Sequence, residues 1–190
     1  MSNSKLGKHL TLEDFCTCSK TYRKYKSQIV PYPTNPDSIA ALTALNQQII
    51  DPIIDHFGKD KFWLTYGFCS VELKRYLTKK DSITGQKNGR IAPQRDQHMA
   101  HEKNRNGKYY CDRLGAACDF FIEGESSDRV IHWILSEKLP FDSLYFYGSD
   151  RPIHISYGPQ HKRDIWAFTE QGTPTKKGIE AWGTLAKEII

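Results

Sequence analysis

Leu114-Gly115-Ala116-Ala117-Cys118-Asp119-Phe120-Phe121-Ile122 is a short apolar run that carries one carboxylate. Ala116 to Ile122 reads as a strand. Downstream, Ser127 is a plausible N-cap for a helix with Val130, Ile131, Ile134 and Leu135 on one face. Pro140 interrupts the chain. Residues 143–147 and 153–157 read as two further strands, with Gly148-Ser149-Asp150 as the turn between them. A closing amphipathic helix over 175–190 uses Ile179, Trp182, Leu185 and Ile189.

Upstream, residues 1–11 read as a polar arm. Leu12 to Ser19 reads as a short helix with Thr11 as N-cap. Residues 20–36 are basic and then proline-rich, which predicts extended surface chain. The clearest helix covers residues 37–57, where Ile39, Leu42, Leu45, Ile49, Ile53 and Phe57 form one stripe. Pro52 is expected to kink it and Gly58 to end it. Phe62 to Tyr66 reads as a strand, and Ser70 to Leu77 as a short helix. Residues 79–110 are a long, polar, basic loop of the kind that tends to be functional or disordered. The order of elements predicts a single α+β domain, with a small antiparallel sheet and helices packed on it.

At 190 residues the chain suits one domain with a real core. It has no apolar run long enough to span a bilayer. The segment starting Met1-Ser2-Asn3-Ser4-Lys5 lacks a secretory apolar core, which predicts a cytoplasmic protein. A formal net charge of +5 weakly favours anionic partners such as nucleic acid or an envelope polymer, although a surplus of this size is more often solubilising. Five cysteines are an odd number and read as reduced thiols. Cys16-Thr17-Cys18 is half of a metal motif, and no second pair follows it.

The residues that carry chemistry are dispersed: His98, Asp119 and His154. Two imidazoles and one carboxylate are the protein ligands of a catalytic zinc ion, whose fourth position stays open to water.

Several segments in order resemble the zinc D-Ala-D-Ala carboxypeptidase family, which has the hedgehog/DD-peptidase fold. They are Thr11-Leu12-Glu13-Asp14-Phe15, Asp51-Pro52-Ile53-Ile54, Tyr66-Gly67-Phe68-Cys69-Ser70, Gly115-Ala116-Ala117-Cys118-Asp119, Leu139-Pro140-Phe141-Asp142-Ser143 and Ile153-His154-Ile155-Ser156-Tyr157. Phage-type murein endopeptidases and carboxypeptidases look most similar. The resemblance implies Zn2+ hydrolysis of an amide bond, with Asp119 and His154 as second and third ligands. The family's first His falls three residues before the glycine matching Gly115, where this chain has Asp112. His98 is the preferred first ligand and requires an insertion before Gly115; His101 and Asp112 are the alternatives.

The family places a catalytic carboxylate shortly before the last His. Here Arg151 stands three residues before His154, and Tyr147 stands where phage-type members carry Glu. Asp150 is the candidate base, with Glu102 as an outside candidate and turn residue as Asp150's bland role. The family's substrate-binding Arg is replaced by Cys69, so Arg95, Arg113, Tyr147 and Arg151 are the candidate substrate contacts. The lost arginine, the basic residues in 79–113 and the aromatic Tyr109, Tyr110, Tyr145 and Tyr147 leave open an enzyme acting on nucleic acid or a modified nucleotide, although a solvated insertion and ordinary strand aromatics are the blander reading; the absent family Glu leaves open a metal-binding module without catalysis.

Overall fold

The computed structural model describes residues 4–169 and 173. The helix expected over 175–190 lies outside them. Five strands form one open sheet in the order β1-β2-β4-β3-β5. β2 (Ala116–Ile122) pairs antiparallel with β1 (Phe62–Tyr66) on one side and β4 (Ile153–Tyr157) on the other. β3 (Ser143–Phe146) pairs antiparallel with β4. β5 (Asp164–Ala167) then runs parallel to β3 at the edge. The sheet is therefore mixed, not wholly antiparallel as expected. β5 is four residues long and half of it is polar or exposed, too short for alternation to announce it.

Successive side chains of a strand point to opposite faces. Ala116, Cys118, Phe120 and Ile122 of β2 enter the main core with Phe62, Leu144, Ile153, Ile155 and Ile165. α3 (Pro36–Leu45) packs against β2 and β4, and α6 (Ser127–Ser136) against β2. Ala117, Asp119 and Phe121 belong to the other face.

The long helix between residues 36 and 57 is α3, a π-helical stretch (Asn46–Ile50) and α4 (Asp51–Phe57). Pro52 has no N–H, and its ring crowds the carbonyl four residues back. The expected kink takes the form of this widened turn just before it. Gly58 ends the helix at φ 100°, its N–H donating to Ile54 O. Ile39 is exposed rather than on the buried stripe, because Ser38, Leu42 and Leu45 face inward there.

Three expectations are corrected near the N-terminus and at α6. The polar arm is tied into the core: Leu6 and Leu10 are buried, and Asp51 accepts the backbone N–H groups of Lys8 (2.7 Å) and His9 (3.3 Å). Residues 20–36 contain a helix, α2 (Lys20–Tyr25), capped by Ser19 and packed against α5 (Val71–Thr78). Its polar composition hides it, because the surface it covers belongs to α5. The N-cap of α6 is Ser126, one residue before the predicted Ser127. α1 (Leu12–Thr17) begins at Thr11 with a reciprocal capping box to Asp14, as its sequence predicts.

Residues 79–113 form turns and short bridges that are largely exposed over 79–96 and 103–108, with a buried stretch between them. Gln97, His98, Met99, Ala100 and Glu102 are buried. Glu102 anchors the segment. Its carboxylate accepts from Thr34 N (3.1 Å), Asn35 N (3.0 Å), Ser38 Oγ (2.9 Å) and the Thr34 hydroxyl. Replacing Glu102 by Ala strands those donors and is expected to cost about 3 kcal/mol or more, with urea denaturation as the measurement. A loss below about 1 kcal/mol would show that the anchor is dispensable. No helix of the described residues is long and apolar enough to cross a membrane. All five cysteines are free. Burial pushes the Cys16 and Cys18 thiols up, so the pair stays protonated and is a poor metal clip.

Candidate metal centre

The strand registers set Asp119 opposite His154, His154 opposite Tyr145, and Tyr145 opposite Trp166. Tyr66 is paired with Asp119 beyond a register shift in β1. One row therefore crosses all five strands: Tyr66, Asp119, His154, Tyr145 and Trp166. It lies on the face away from the main core, and cross-strand neighbours on one face are close enough to touch.

The 79–113 segment delivers His98 from outside the sheet. Its backbone carbonyl accepts from Cys69 N (2.9 Å), and its Nδ1 meets Gly67 O at 2.9 Å. A carbonyl can only accept, so Nδ1 carries the proton and Nε2 is the free donor atom in the neutral ring. His98 Nε2 stands 3.2 Å from Asp119 Oδ1, and His154 Nδ1 stands 2.8 Å from the same oxygen. Tyr145 stacks on His154 (centroids 4.4 Å apart, 16° between planes), and Tyr66 meets His98 edge-on. His98 and His154 are buried, while Asp119 keeps partial exposure.

The donor set could hold a metal ion. One ligand atom from each of His98, Asp119 and His154 can be chosen so that all lie within 4.8 Å of one another. Donors about 2.1 Å from a tetrahedral ion stand roughly 3.4 Å apart; here Asp119 Oδ1 stands 3.2 Å from His98 Nε2 and 2.8 Å from His154 Nδ1. His154 Nε2 is buried without a hydrogen-bond partner among the described residues, so its contact with Asp119 is what orients the ring.

Charge coupling within the trio is strong. Burial acts to lower the His98 pKa, but the Asp119 carboxylate overrides it and raises the value to about 9. Burial acts to raise the Asp119 pKa, yet His98 and His154 hold it well below the usual carboxylate range. A metal must displace the His98 proton. Zinc affinity is therefore expected to rise with pH below about 9, by about tenfold per unit where one proton is released. Calorimetric titration between pH 6 and 8.5 measures this, and a flat profile would contradict it.

The trio opens into a cleft of about 910 Å³. Arg90, Arg95, Asp96, Arg113, Tyr147, Arg151, Asp164, Trp166 and Phe168 are among its walls. Arg113 is spoken for: it holds Asp142 at 2.7 Å, with Asp164 at 3.9 Å. Burial pushes the hydroxyls of Tyr145 and Tyr147 up, so both remain neutral phenols. Arg95, Arg113, Tyr147 and Arg151 therefore all reach the cleft.

Other sequence candidates stand elsewhere. His101 Nε2 accepts from Gly115 N at 3.0 Å and serves the turn into β2. Asp112 is exposed, and Glu102 is the buried anchor described above. Asp150 is exposed in the turn between β3 and β4 and is not part of the cleft wall. Cys69 is buried behind His98, where no substrate reaches it. Tyr109 and Tyr110 lie outside the cleft wall. Arg90, one of the basic residues of the 79–113 stretch, is in the cleft wall, and Asp96, Trp166 and Phe168 are cleft residues that sequence reasoning misses. Asp96 carried a signal, since it lies two residues before His98; Trp166 and Phe168 depended on the unseen β5. No family model, no curated protein and no solved structure matches this chain.

Proposed function

We propose that this chain is a zinc-dependent hydrolase of the hedgehog/DD-peptidase type that cleaves an amide bond. The observation that carries the reading is that His98, Asp119 and His154, from three separate segments, bring one ligand atom each within 4.8 Å of one another in the wall of a cleft. These three side chains would hold the ion. When bound, it supplies Lewis acidity toward water and a substrate carbonyl.

The chain's own groups do the rest. The Tyr145 ring stacks on the His154 imidazole and helps fix its orientation. Arg95 and Arg151 line the cleft without an ion pair among the described residues, and would take a substrate carboxylate or phosphate. The proton carrier has to be a cleft carboxylate. Besides Asp119, the described cleft wall offers Asp164, which faces Arg113, and Asp96. Asp96 Oδ2 accepts Ala92 N (3.1 Å), which fixes the carboxylate beside His98 while leaving it further accepting capacity. On this reading Asp96, a cleft residue, rather than the exposed Asp150, takes a proton from water and returns it to the leaving amine.

The test is hydrolysis of a panel of acyl-D-amino acid and muropeptide amides by the zinc-loaded chain. Asp96→Asn is expected to lower kcat by about 10²–10⁴-fold and Asp150→Asn to leave it within twofold. Equal activity of Asp96→Asn and wild type would remove Asp96 from the scheme, and wild-type inactivity on every amide would remove the reaction class.

One observation favours a second reading, in which the same centre serves a nucleic acid or modified nucleotide. Residues 79–113 carry nine Lys and Arg against four Asp and Glu, which accounts for the whole +5 of the chain. Binding of an oligonucleotide that weakens steeply with salt would support it.

A further inference from the structure

A second hollow lies between α5 and the small turn at residues 103–109, away from the metal centre. It has a volume of about 570 Å³ and shares no lining residue with the cleft. Lys74 and Arg75 line it from the helix, Lys103 and Arg105 from the turn, and no carboxylate joins them. None of the four makes an ion pair among the described residues. Glu72, the acid on the same helix, is engaged elsewhere, accepting Val30 N at 2.6 Å.

Both walls are built rather than loose. Asn104 closes the turn: its N–H donates to Lys108 O (2.8 Å), and its Oδ1 accepts Asn106 N (2.9 Å) and Lys108 N (3.1 Å). A bridge between Lys103 and Tyr109 pins the base of that turn. Lys74 Nζ sits over the Tyr110 ring at 5.3 Å and Lys103 Nζ over Tyr109 at 4.7 Å, so aromatic rings steer both ammonium groups. The fold thus gathers four cations around one space, against their mutual repulsion, with no protein anion to relieve it. Two guanidinium forks and two ammonium groups match an anion of high charge and many acceptor oxygens better than a single carboxylate.

We propose that Lys74, Arg75, Lys103 and Arg105 form a binding site for a phosphate-bearing ligand, separate from the metal centre. Two of its four cations, Lys103 and Arg105, lie on the segment that also carries His98. The site does not depend on the hydrolytic reading, because its residues touch none of the metal ligands.

Isothermal titration of the full-length chain with inorganic pyrophosphate, in low salt and without zinc, is the experiment. Saturable binding is expected. Lys103→Ala/Arg105→Ala and Lys74→Ala/Arg75→Ala are each expected to weaken it at least tenfold, with circular dichroism unchanged. Asp119→Asn, which disables the metal centre, is expected to bind pyrophosphate as wild type does. Competition separates the sources: displacement by ATP marks a mononucleotide, and displacement only by a longer oligonucleotide marks a nucleic-acid backbone. Acetate at the same ionic strength is expected not to compete. No binding by wild type, or equal binding by both double variants, would overturn the proposal.

Discussion

Asp119→Asn is expected to weaken zinc binding by more than about 100-fold, because it removes one of three protein ligands and the only charged one. The same substitution has a second, metal-free signature. In wild type the Asp119 carboxylate raises the His98 pKa to about 9, against a burial effect in the opposite direction. With the charge gone, burial acts unopposed by it, and His98 is expected to titrate near or below its ordinary value of 6.5. Nuclear magnetic resonance of the ring protons in chelated protein follows this directly. The linkage has a definite sign. A folded pKa above the unfolded one stabilises the metal-free protein fully below about pH 6.5, and the gain is lost as pH rises through about 9. Urea midpoints of the chelated wild type should therefore fall across that window, while those of Asp119→Asn should not. An unchanged His98 titration would mean that the two side chains do not meet.

Gly115→Ala is expected to be among the most damaging single substitutions outside the trio. Gly115 has φ 82°, where a side chain is strained, and a Cβ there would lie 2.2 Å from Tyr157 O. Neither partner can yield, because Ala116 is paired with Tyr157 at the first rung of the β2–β4 ladder. Backbone strain and the clash together are expected to cost about 3 kcal/mol or more. Gly107 supplies the control. Its φ is 74°, but open space surrounds the position of a Cβ, so Gly107→Ala should cost only the backbone strain, about 1 kcal/mol. Because Asp119 follows four residues later on the same strand, Gly115→Ala should also lower zinc affinity, and Gly107→Ala should leave it unchanged. Equal stabilities of the two variants would contradict this account of the turn.

The legible parts of the fold were those with local causes. Thr11 and Asp14 cap α1 within one turn of chain, and the alternation of β2 separates Asp119 from Cys118 and Phe120 whatever else surrounds it. What stayed hidden was set by long-range partners. Lys20–Tyr25 has little apolar pattern of its own and is helical where it meets α5. The four residues of β5 become a strand only because β3 offers an edge. The trio shows the same division. Asp119 and His154 sit at matching places in two readable strands, so their pairing across β2 and β4 follows from register. His98 is placed by contacts no sequence window contains: its own bonds to Gly67 and Cys69, and the four donors that hold Glu102. Asp150 looked attractive because it is near His154 in sequence, yet the turn between β3 and β4 carries it to solvent. Asp96 is far from His154 in sequence and shares its cleft.

The most direct measurement is zinc content by elemental analysis after dialysis at pH 8, for wild type, His98→Ala and His154→Ala side by side, with circular dichroism to show that all three are folded. One zinc per wild-type chain and less than about a tenth in either variant is the expected result. Folded wild type without zinc, or a variant that keeps its full equivalent, would contradict the metal centre on which the proposed hydrolysis stands.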